Sequence, residues 1–122
     1  MDRLFFGLGA LFAFLGVGLG AFGAHALRGT FGPGMAAVYE TGIKYQFYHA
    51  LGLLAVAYAA GRWPGPLPTI AGWLFVAGII LFSGSLYLLS VVGVRWLGAI
   101  TPLGGLCFLA GWAILGWVVM RT

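Results

Sequence analysis

The sequence predicts an all-α integral membrane protein, an antiparallel bundle of four transmembrane helices forming a single domain over residues 1–122. Composition is the first reason: 62% of the residues are hydrophobic and only 7% are charged, whereas about one quarter of the residues in a soluble domain are charged. The second reason is pattern, because the apolar residues fall into long runs without β-type alternation, separated by short segments rich in Gly, Pro and Arg. Such short loops make successive helices antiparallel neighbours.

The first helix is expected over residues 3–28, with Asp2 as its N-cap and Gly29 as its end. Its apolar run of 21 residues is long enough to cross a bilayer and too long for a signal-peptide core, so we interpret this helix as retained. Small residues recur on it at four-residue intervals, which predicts a face for close helix contact. These residues are Gly16, Gly20 and Ala24.

The second and third helices are bounded by Gly and Pro. The second is expected over residues 35–61, because a Pro- and Gly-rich segment, 61–66, follows it. The third is expected over residues 68–92, since Pro68 suits the first turn of a helix and Gly93 suits a position just past its end.

The fourth helix is expected over residues 96–121, and Pro102 allows two interpretations of its start. In the first, the helix runs through Pro102 and is kinked there, because proline cannot donate a hydrogen bond to the carbonyl of Gly98. In the second, the helix begins at Pro102 with Thr101 as its N-cap. We favour the kinked helix.

Polar residues are concentrated at one end of the predicted bundle. Because successive helices alternate in direction, the end of the first, the start of the second, the end of the third and the start of the fourth share one side of the membrane. That side holds a predicted intramembrane cluster of His25, Glu40, Lys44, Tyr45, Gln46, His49, Ser83, Tyr87 and Thr101. The bases expected to contact lipid at the same interface are Arg28, Lys44 and Arg95. The opposite half is nearly all apolar and is expected to act as a seal.

The second helix carries most of this chemistry. Glu40 and Lys44 are four residues apart with the acid first, the favourable order for an ion pair, although Lys44 reaching toward headgroups is an equally good interpretation. His49 is interpreted as a core histidine hydrogen-bonded to Thr101 or Tyr87 rather than as a ligand or proton carrier. Because polar groups occur on several faces of this helix, we expect either enclosure by the other helices or a homo-oligomer.

Several separated motifs resemble one family. The segments are 20–27 (GAFGAHAL), 39–42 (YETG), 45–51 (YQFYHAL), 82–87 (FSGSLY) and 100–105 (ITPLGG). In this order they resemble a family of small four-helix bacterial inner-membrane proteins catalogued as domain of unknown function 423, similar to the small transmembrane protein 256 of animals. The resemblance implies a four-span protein of the bacterial inner membrane, and it supplies no activity, substrate or catalytic residue.

Several functional classes are disfavoured by what the sequence lacks. Asp2 and Glu40 are the only acids, which excludes paired-carboxylate chemistry within one chain. Cys107 is the only cysteine, which excludes an intrachain disulfide or a CxxC metal site. Haem ligation by His25 and His49 is conceivable but nothing else marks a haem pocket. We therefore assign no catalytic residue, metal or cofactor, and the basic residues form no patch for nucleic acid.

Two functional hypotheses follow. The first is a non-catalytic binding or scaffold protein that holds an anionic lipid or a partner membrane protein through the polar cluster. The second is a small proton-coupled or solute carrier that uses Glu40, Lys44 and His49, which the apolar half of the bundle disfavours. A lipid-modifying enzyme is third. The basic residues are balanced between the two sides, so the positive-inside rule leaves the orientation open.

Overall fold

The computed structural model describes residues 1–121, and its regular structure consists of helices. The α-helices are α1 (Asp2–His25), α2 (Met35–Arg62), α3 (Leu67–Gly78), α4 (Gly84–Val92) and α5 (Thr101–Met120). A π-helical turn, Ile79–Ser83, joins α3 to α4 in one continuous span, and a 3-10 helix, Arg95–Ala99, leads into α5. Apart from the start of α5, which is five residues later than expected, the helix ends lie within three residues of those expected from the sequence.

Among the described residues, three helices are long and apolar enough to cross a membrane: Asp2–His25, Leu67–Val92 and Arg95–Met120. The second helix, α2, has 28 residues and is long enough to cross a membrane, but its first half is too polar for it to be counted with these three by hydropathy. Glu40, Lys44, Gln46 and His49 are the residues responsible. The expected four-helix membrane fold is confirmed, with one helix that depends on its neighbours to shield its polar groups.

The first helix differs from the prediction at both ends. Asp2 is not a cap but the first helical residue, and its carboxylate accepts the N–H of Arg3 at 2.8 Å. The helix ends at His25, because the N–H groups of Ala26 and Leu27 both bond to one carbonyl, that of Phe22, at 2.8 and 3.2 Å. Gly29 therefore lies beyond the end of the helix.

The preference for a kinked fourth helix was wrong. α5 begins at Thr101, with Pro102 in its first turn, after the 3-10 helix. Thr101 is inside the helix and Ile100 is its N-cap, so the alternative interpretation was closer. The physical reason is that the first turn of a helix has N–H groups without an intrahelical acceptor, so the N–H that proline lacks is not missed there.

Glycines allow α1 and α2 to pack closely, but they are spaced by seven residues rather than four. A Cβ atom on Gly9 would lie 2.7 Å from the carbonyl oxygen of Ala50. A Cβ on Gly16 would lie 2.9 Å from the ring of Phe47, and one on Gly23 would overlap the ring of Tyr39. This seven-residue repeat is the spacing of helices that pack side by side with a small crossing angle.

The predicted four-residue stripe was therefore only partly right. Gly16 is buried at the α1–α2 contact as expected. A Cβ on Gly20 would make an ordinary contact, 3.7 Å from Ile43, and Ala24 is exposed. The four-residue pattern rotates away from α2 along the helix, whereas the seven-residue pattern stays on it.

The hydrophobic core fills the half of the bundle opposite the polar end. Phe5, Leu53, Val56 and Phe75 are fully buried there. Glycines make room for the largest of these side chains, because a Cβ on Gly72 would overlap the ring of Phe5. The sequence predicts a seal in this half of the bundle, and the packed apolar side chains fit that prediction.

Candidate functional site

His49 lies on α2 in the interior of the bundle, with 4% of its surface exposed. Its Nδ1 lies 2.8 Å from the carbonyl oxygen of Tyr45, an acceptor, so this nitrogen carries the proton. Its Nε2 accepts the indole N–H of Trp112 at 2.9 Å. The ring is stacked on Phe108, with centroids 3.5 Å apart and planes 7° from parallel. These contacts define a neutral histidine with both nitrogens in use.

The interpretation of His49 as a hydrogen-bonded core histidine fits this geometry, but the expected partners were wrong. The hydroxyl of Thr101 instead bonds to Ser85 at 2.6 Å and lies 3.4 Å from the carbonyl of Leu97. A metal or haem iron at Nε2 would have to displace the Trp112 N–H. His25 is exposed at the end of α1, where its Nδ1 lies 2.8 Å from the carbonyl oxygen of Ala21.

A chain of hydrogen bonds joins the first three spans through Gln46. The hydroxyl of Tyr87 donates to Oε1 of Gln46. Nε2 of Gln46 then donates to the carbonyl oxygen of Phe12 on α1 at 2.8 Å. Beside this chain, Ser83 donates to the carbonyl oxygen of Gly42 at 2.7 Å. Gln46 therefore uses both ends of its amide to hold neighbouring helices.

Tyr39 makes a second bond of the same kind, because its hydroxyl donates to the carbonyl oxygen of Leu19 on α1. A helical side chain covers the turn that precedes it, so a glycine leaves the carbonyl four residues earlier uncovered. The two accepting carbonyls, of Phe12 and Leu19, lie four residues before Gly16 and Gly23. The glycine repeat thus exposes the main-chain acceptors that Gln46 and Tyr39 reach.

The predicted polar cluster is divided by the structure into two groups. Five members, Gln46, His49, Ser83, Tyr87 and Thr101, take part in hydrogen bonds inside the bundle. Within residues 1–121 no buried side-chain nitrogen or oxygen lacks a partner. The inner half of the cluster is therefore a structural network. Tyr39 and Trp112 were not predicted as members of the cluster, although Tyr39 stands one heptad before Gln46.

The remaining members, His25, Glu40, Lys44 and Tyr45, are exposed, as are the interfacial bases Arg28 and Arg95. The structure shows no ion pair between Glu40 and Lys44, so that predicted contact is not formed. Exposed pairs are weak, because solvent screens the charges and two long side chains lose freedom. The free charges of the polar end are therefore available to other molecules.

A cleft of about 510 Å³ lies where the end of α1 faces the start of α2. Arg28, from the connection after α1, and Glu40, from α2, supply its charges. Its other lining residues are small or apolar: Gly20, Gly23, Ala24, Phe31, Ala36, Tyr39 and Ile43. The rings of Phe31 and Tyr39 lie 5.2 Å apart on its wall. The cleft thus combines two opposite charges with an apolar floor.

A second groove, of about 680 Å³, runs between α2 and α5. Aromatic side chains line most of it, including Tyr45, Tyr48, Phe82 and Trp112. Tyr45 packs on Phe82 with ring centroids 4.6 Å apart. Its walls are almost wholly apolar, whereas the free charges Arg28 and Glu40 belong to the first cleft.

Together these features define a multi-pass α-helical membrane protein whose buried polar side chains are hydrogen-bonded inside the bundle and whose polar end exposes the charges of Arg28, Glu40 and Lys44. The family described as "Protein of unknown function (DUF423)" matches residues 19–105. The chain belongs to this family, as the resemblance of its motifs indicated.

Curated relatives agree over nearly the whole chain. The chain is 53% identical over 114 residues to the UPF0382 membrane protein YwdK of Bacillus subtilis, covering 93% of each protein. It is 45% identical over 119 residues to the UPF0382 membrane protein SH2409 of Staphylococcus haemolyticus, covering 93% of this chain and 92% of the relative. No solved structure matches. The protein is accordingly a membrane protein of a bacterial family of unknown function, and its location is the plasma membrane.

Proposed function

We propose that the protein is a non-catalytic lipid-binding membrane protein that holds the anionic phosphate of a lipid headgroup in the cleft between α1 and α2. One observation carries the proposal. Arg28 lines a cleft of about 510 Å³ at the polar end of the bundle, and its guanidinium forms no ion pair with any of residues 1–121. The proposal names a binding role and no reaction.

The chemistry of the cleft fits a phosphate with an attached chain. A guanidinium is planar and always charged, and its N–H groups match two phosphate oxygens at once. In the same cleft, Gly20 leaves apolar space beside Ile43. A lipid supplies both parts, because its headgroup carries the phosphate and its glycerol and acyl carbons are apolar.

The geometry favours a narrower site than the sequence suggested. Lys44 and Arg95 do not line the cleft, and Gln46 and His49 are already bonded elsewhere. Lys44 and Arg95 would then attract anionic lipid to this end of the bundle in general, without forming a defined site. A partner membrane protein that uses the same cleft is the other occupant, and the experiment below separates the two.

The alternative, a proton-coupled or solute carrier, has less support. A carrier must expose its site to both sides of the membrane, yet the other half of the bundle is packed with Phe5, Leu53 and Phe75. His49 would need a free ring nitrogen to carry a proton, and both nitrogens are bonded. Homo-oligomer formation stays a prediction, although the buried polar groups of α2 find partners within one chain.

The test is native mass spectrometry of the detergent-solubilised protein with phosphatidylglycerol. We expect Arg28→Ala to weaken retention of the lipid about tenfold, the effect of losing one charge-assisted hydrogen bond. Gly20→Leu, which fills the cleft and leaves every charge in place, should weaken it similarly. Arg62→Ala is the control, because Arg62 lies at the other end of α2, beside Trp63.

Three results would contradict the proposal. Equal losses in Arg28→Ala and Arg62→Ala would indicate general surface electrostatics. If Arg28→Ala and Gly20→Leu both retain phosphatidylglycerol as the wild type does, the lipid does not occupy the cleft, and a partner protein becomes the favoured occupant. Proton flux into liposomes that His49→Ala abolishes would identify a carrier.

A further inference from the structure

Arg28 and Glu40 line the same cleft, yet the structure shows no ion pair between them. Arg28 belongs to the connection after α1 and Glu40 to the second turn of α2, so the two charges come from different segments. A cleft that holds one positive and one negative group apart is complementary to a ligand that carries both charges itself. This complementarity is more specific than attraction of an anion.

Glu40 is the residue that a purely anionic ligand does not explain. Only two acids occur in the chain, and the other, Asp2, begins α1 at the opposite end of the bundle. Glu40 is therefore the single carboxylate among the bases of the polar end, and it would repel an anionic headgroup that Arg28 attracts. Its nearest base along α2, Lys44, does not neutralise it by forming an ion pair.

We propose that the cleft selects a zwitterionic phospholipid with a primary amine, of the phosphoethanolamine type, with its phosphate on Arg28 and its ammonium on Glu40. The inference rests on the proposed function and adds the class of headgroup. A carboxylate only accepts hydrogen bonds, and a primary ammonium offers three N–H donors. A quaternary ammonium has no such donor and binds through aromatic faces instead.

The apolar part of the cleft fits the rest of such a lipid. Its floor at Gly20 is open, since a Cβ there would meet only Ile43 at 3.7 Å. The hydroxyl of Tyr39, which borders the cleft, is already bonded to the carbonyl oxygen of Leu19, so the ring presents an apolar wall. The charges of the headgroup are therefore matched by Arg28 and Glu40 alone.

The experiment is a competition in native mass spectrometry between phosphatidylethanolamine, phosphatidylglycerol and phosphatidylcholine with identical acyl chains. The wild type should retain phosphatidylethanolamine about two- to fivefold more than either competitor, the size of one exposed ion pair. Glu40→Gln should abolish this preference and raise retention of phosphatidylglycerol, while Arg28→Ala weakens retention of all three lipids. Lys44→Gln is the control for a change of charge one turn away, and it should leave the preference for phosphatidylethanolamine over phosphatidylcholine unchanged, because both of these lipids are zwitterionic.

The outcomes separate this inference from the proposed function. Equal retention of phosphatidylethanolamine and phosphatidylcholine, or a preference for phosphatidylglycerol that Glu40→Gln does not alter, would overturn the choice of headgroup. In both cases retention that still depends on Arg28 would preserve the proposed function. If Arg28→Ala changes the retention of no lipid, both proposals fail. Glu40 is exposed and its side chain makes no hydrogen bond in the part of the chain that the structure describes, so Glu40→Gln should fold normally, which its thermal unfolding will check.

Discussion

Trp112 on α5 donates its indole N–H to Nε2 of His49 on α2 at 2.9 Å, which links two helices that are not adjacent in sequence. Phe75 of α3 packs on both rings, with centroids 5.2 Å from His49 and 4.8 Å from Trp112. Three spans therefore meet at this hydrogen bond. The bond fixes the tautomer of the histidine and leaves its ring without a free lone pair.

Replacing Trp112 with Phe should destabilise the protein without changing its fold. The substitution keeps an aromatic ring beside Phe75 but leaves Nε2 of His49 without a donor. Side-chain hydrogen bonds between membrane helices contribute about 0.6 kcal/mol on average and about 1.7 at most. We expect a loss in that range in the free energy of unfolding, measured by denaturant titration in detergent micelles.

Trp117→Phe is the matched control, because Trp117 lies on the same helix, is 62% exposed and makes no side-chain hydrogen bond to any of residues 1–121. The ¹⁵N chemical shifts of His49 should also show a neutral ring protonated at Nδ1 in the wild type. Shifts of a ring protonated at Nε2 would contradict the assigned hydrogen bonds.

Gln46→Leu should be more damaging than Tyr87→Phe. The first substitution removes the acceptor of Tyr87 and the donor to the carbonyl of Phe12 together, whereas the second removes only the Tyr87 donor. Because the two residues share a bond, their effects on unfolding free energy should be non-additive by at least about 0.5 kcal/mol in a double-mutant cycle. Tyr48→Phe, at an exposed tyrosine on the same helix, serves as the control. Strictly additive losses would argue against the Tyr87–Gln46 bond.

Gly9→Ala should separate α1 from α2. Its new Cβ would lie 2.7 Å from the carbonyl oxygen of Ala50, a backbone atom that cannot move aside alone. Overpacking of this kind typically destabilises by about 1–3 kcal/mol. Gly18→Ala, on the same helix, places its Cβ with nothing within 4 Å and should change the unfolding free energy little. Similar losses in the two variants would mean that the helices do not pack through Gly9.

Two neighbouring glycines give a test of the contact between α5 and the π-helical turn. A Cβ on Gly104 would lie 2.8 Å from the Cα of Phe82 and closer still to its backbone nitrogen. A Cβ on Gly105 would meet only the edge of the Phe82 ring, at 3.9 Å. We expect Gly104→Ala to lower the free energy of unfolding by about 1–3 kcal/mol and Gly105→Ala to lower it by much less. The reverse order would contradict the backbone contact.

The sequence was sufficient for the membrane fold, since composition and run length determine which segments cross a bilayer. Antiparallel order, which follows from the short loops, also predicts that Gln46 and Tyr87 lie at similar depth, and these two side chains share a hydrogen bond. The prediction that glycines contact α2 at four-residue spacing was wrong. Both four- and seven-residue intervals are present in α1, and only the position of α2 decides which of them becomes the contact.

The partners of individual polar groups were beyond sequence reasoning. The expected depth in the membrane put Thr101 and Tyr87 near His49, yet the residue that bonds to His49 is Trp112. The rotation of α5 about its own axis decides this contact, and α5 has apolar residues on all its faces, so its sequence does not specify that rotation. The cleft was missed for a similar reason. Arg28 and Glu40 are separated by a turn between helices, and the path of that connection decides whether they share a cavity.

The bonds from Tyr39 and Gln46 to the carbonyls of Leu19 and Phe12 also bear on how the protein enters the membrane. Inserted into the membrane alone, α2 would be unstable, because the polar groups of its first half would face hydrocarbon without hydrogen-bond partners. With α1 already present, two of those groups find main-chain acceptors at once. We therefore expect the translocation machinery to release α1 and α2 together as a hairpin during synthesis, with the first helix serving as an intramolecular chaperone for the second.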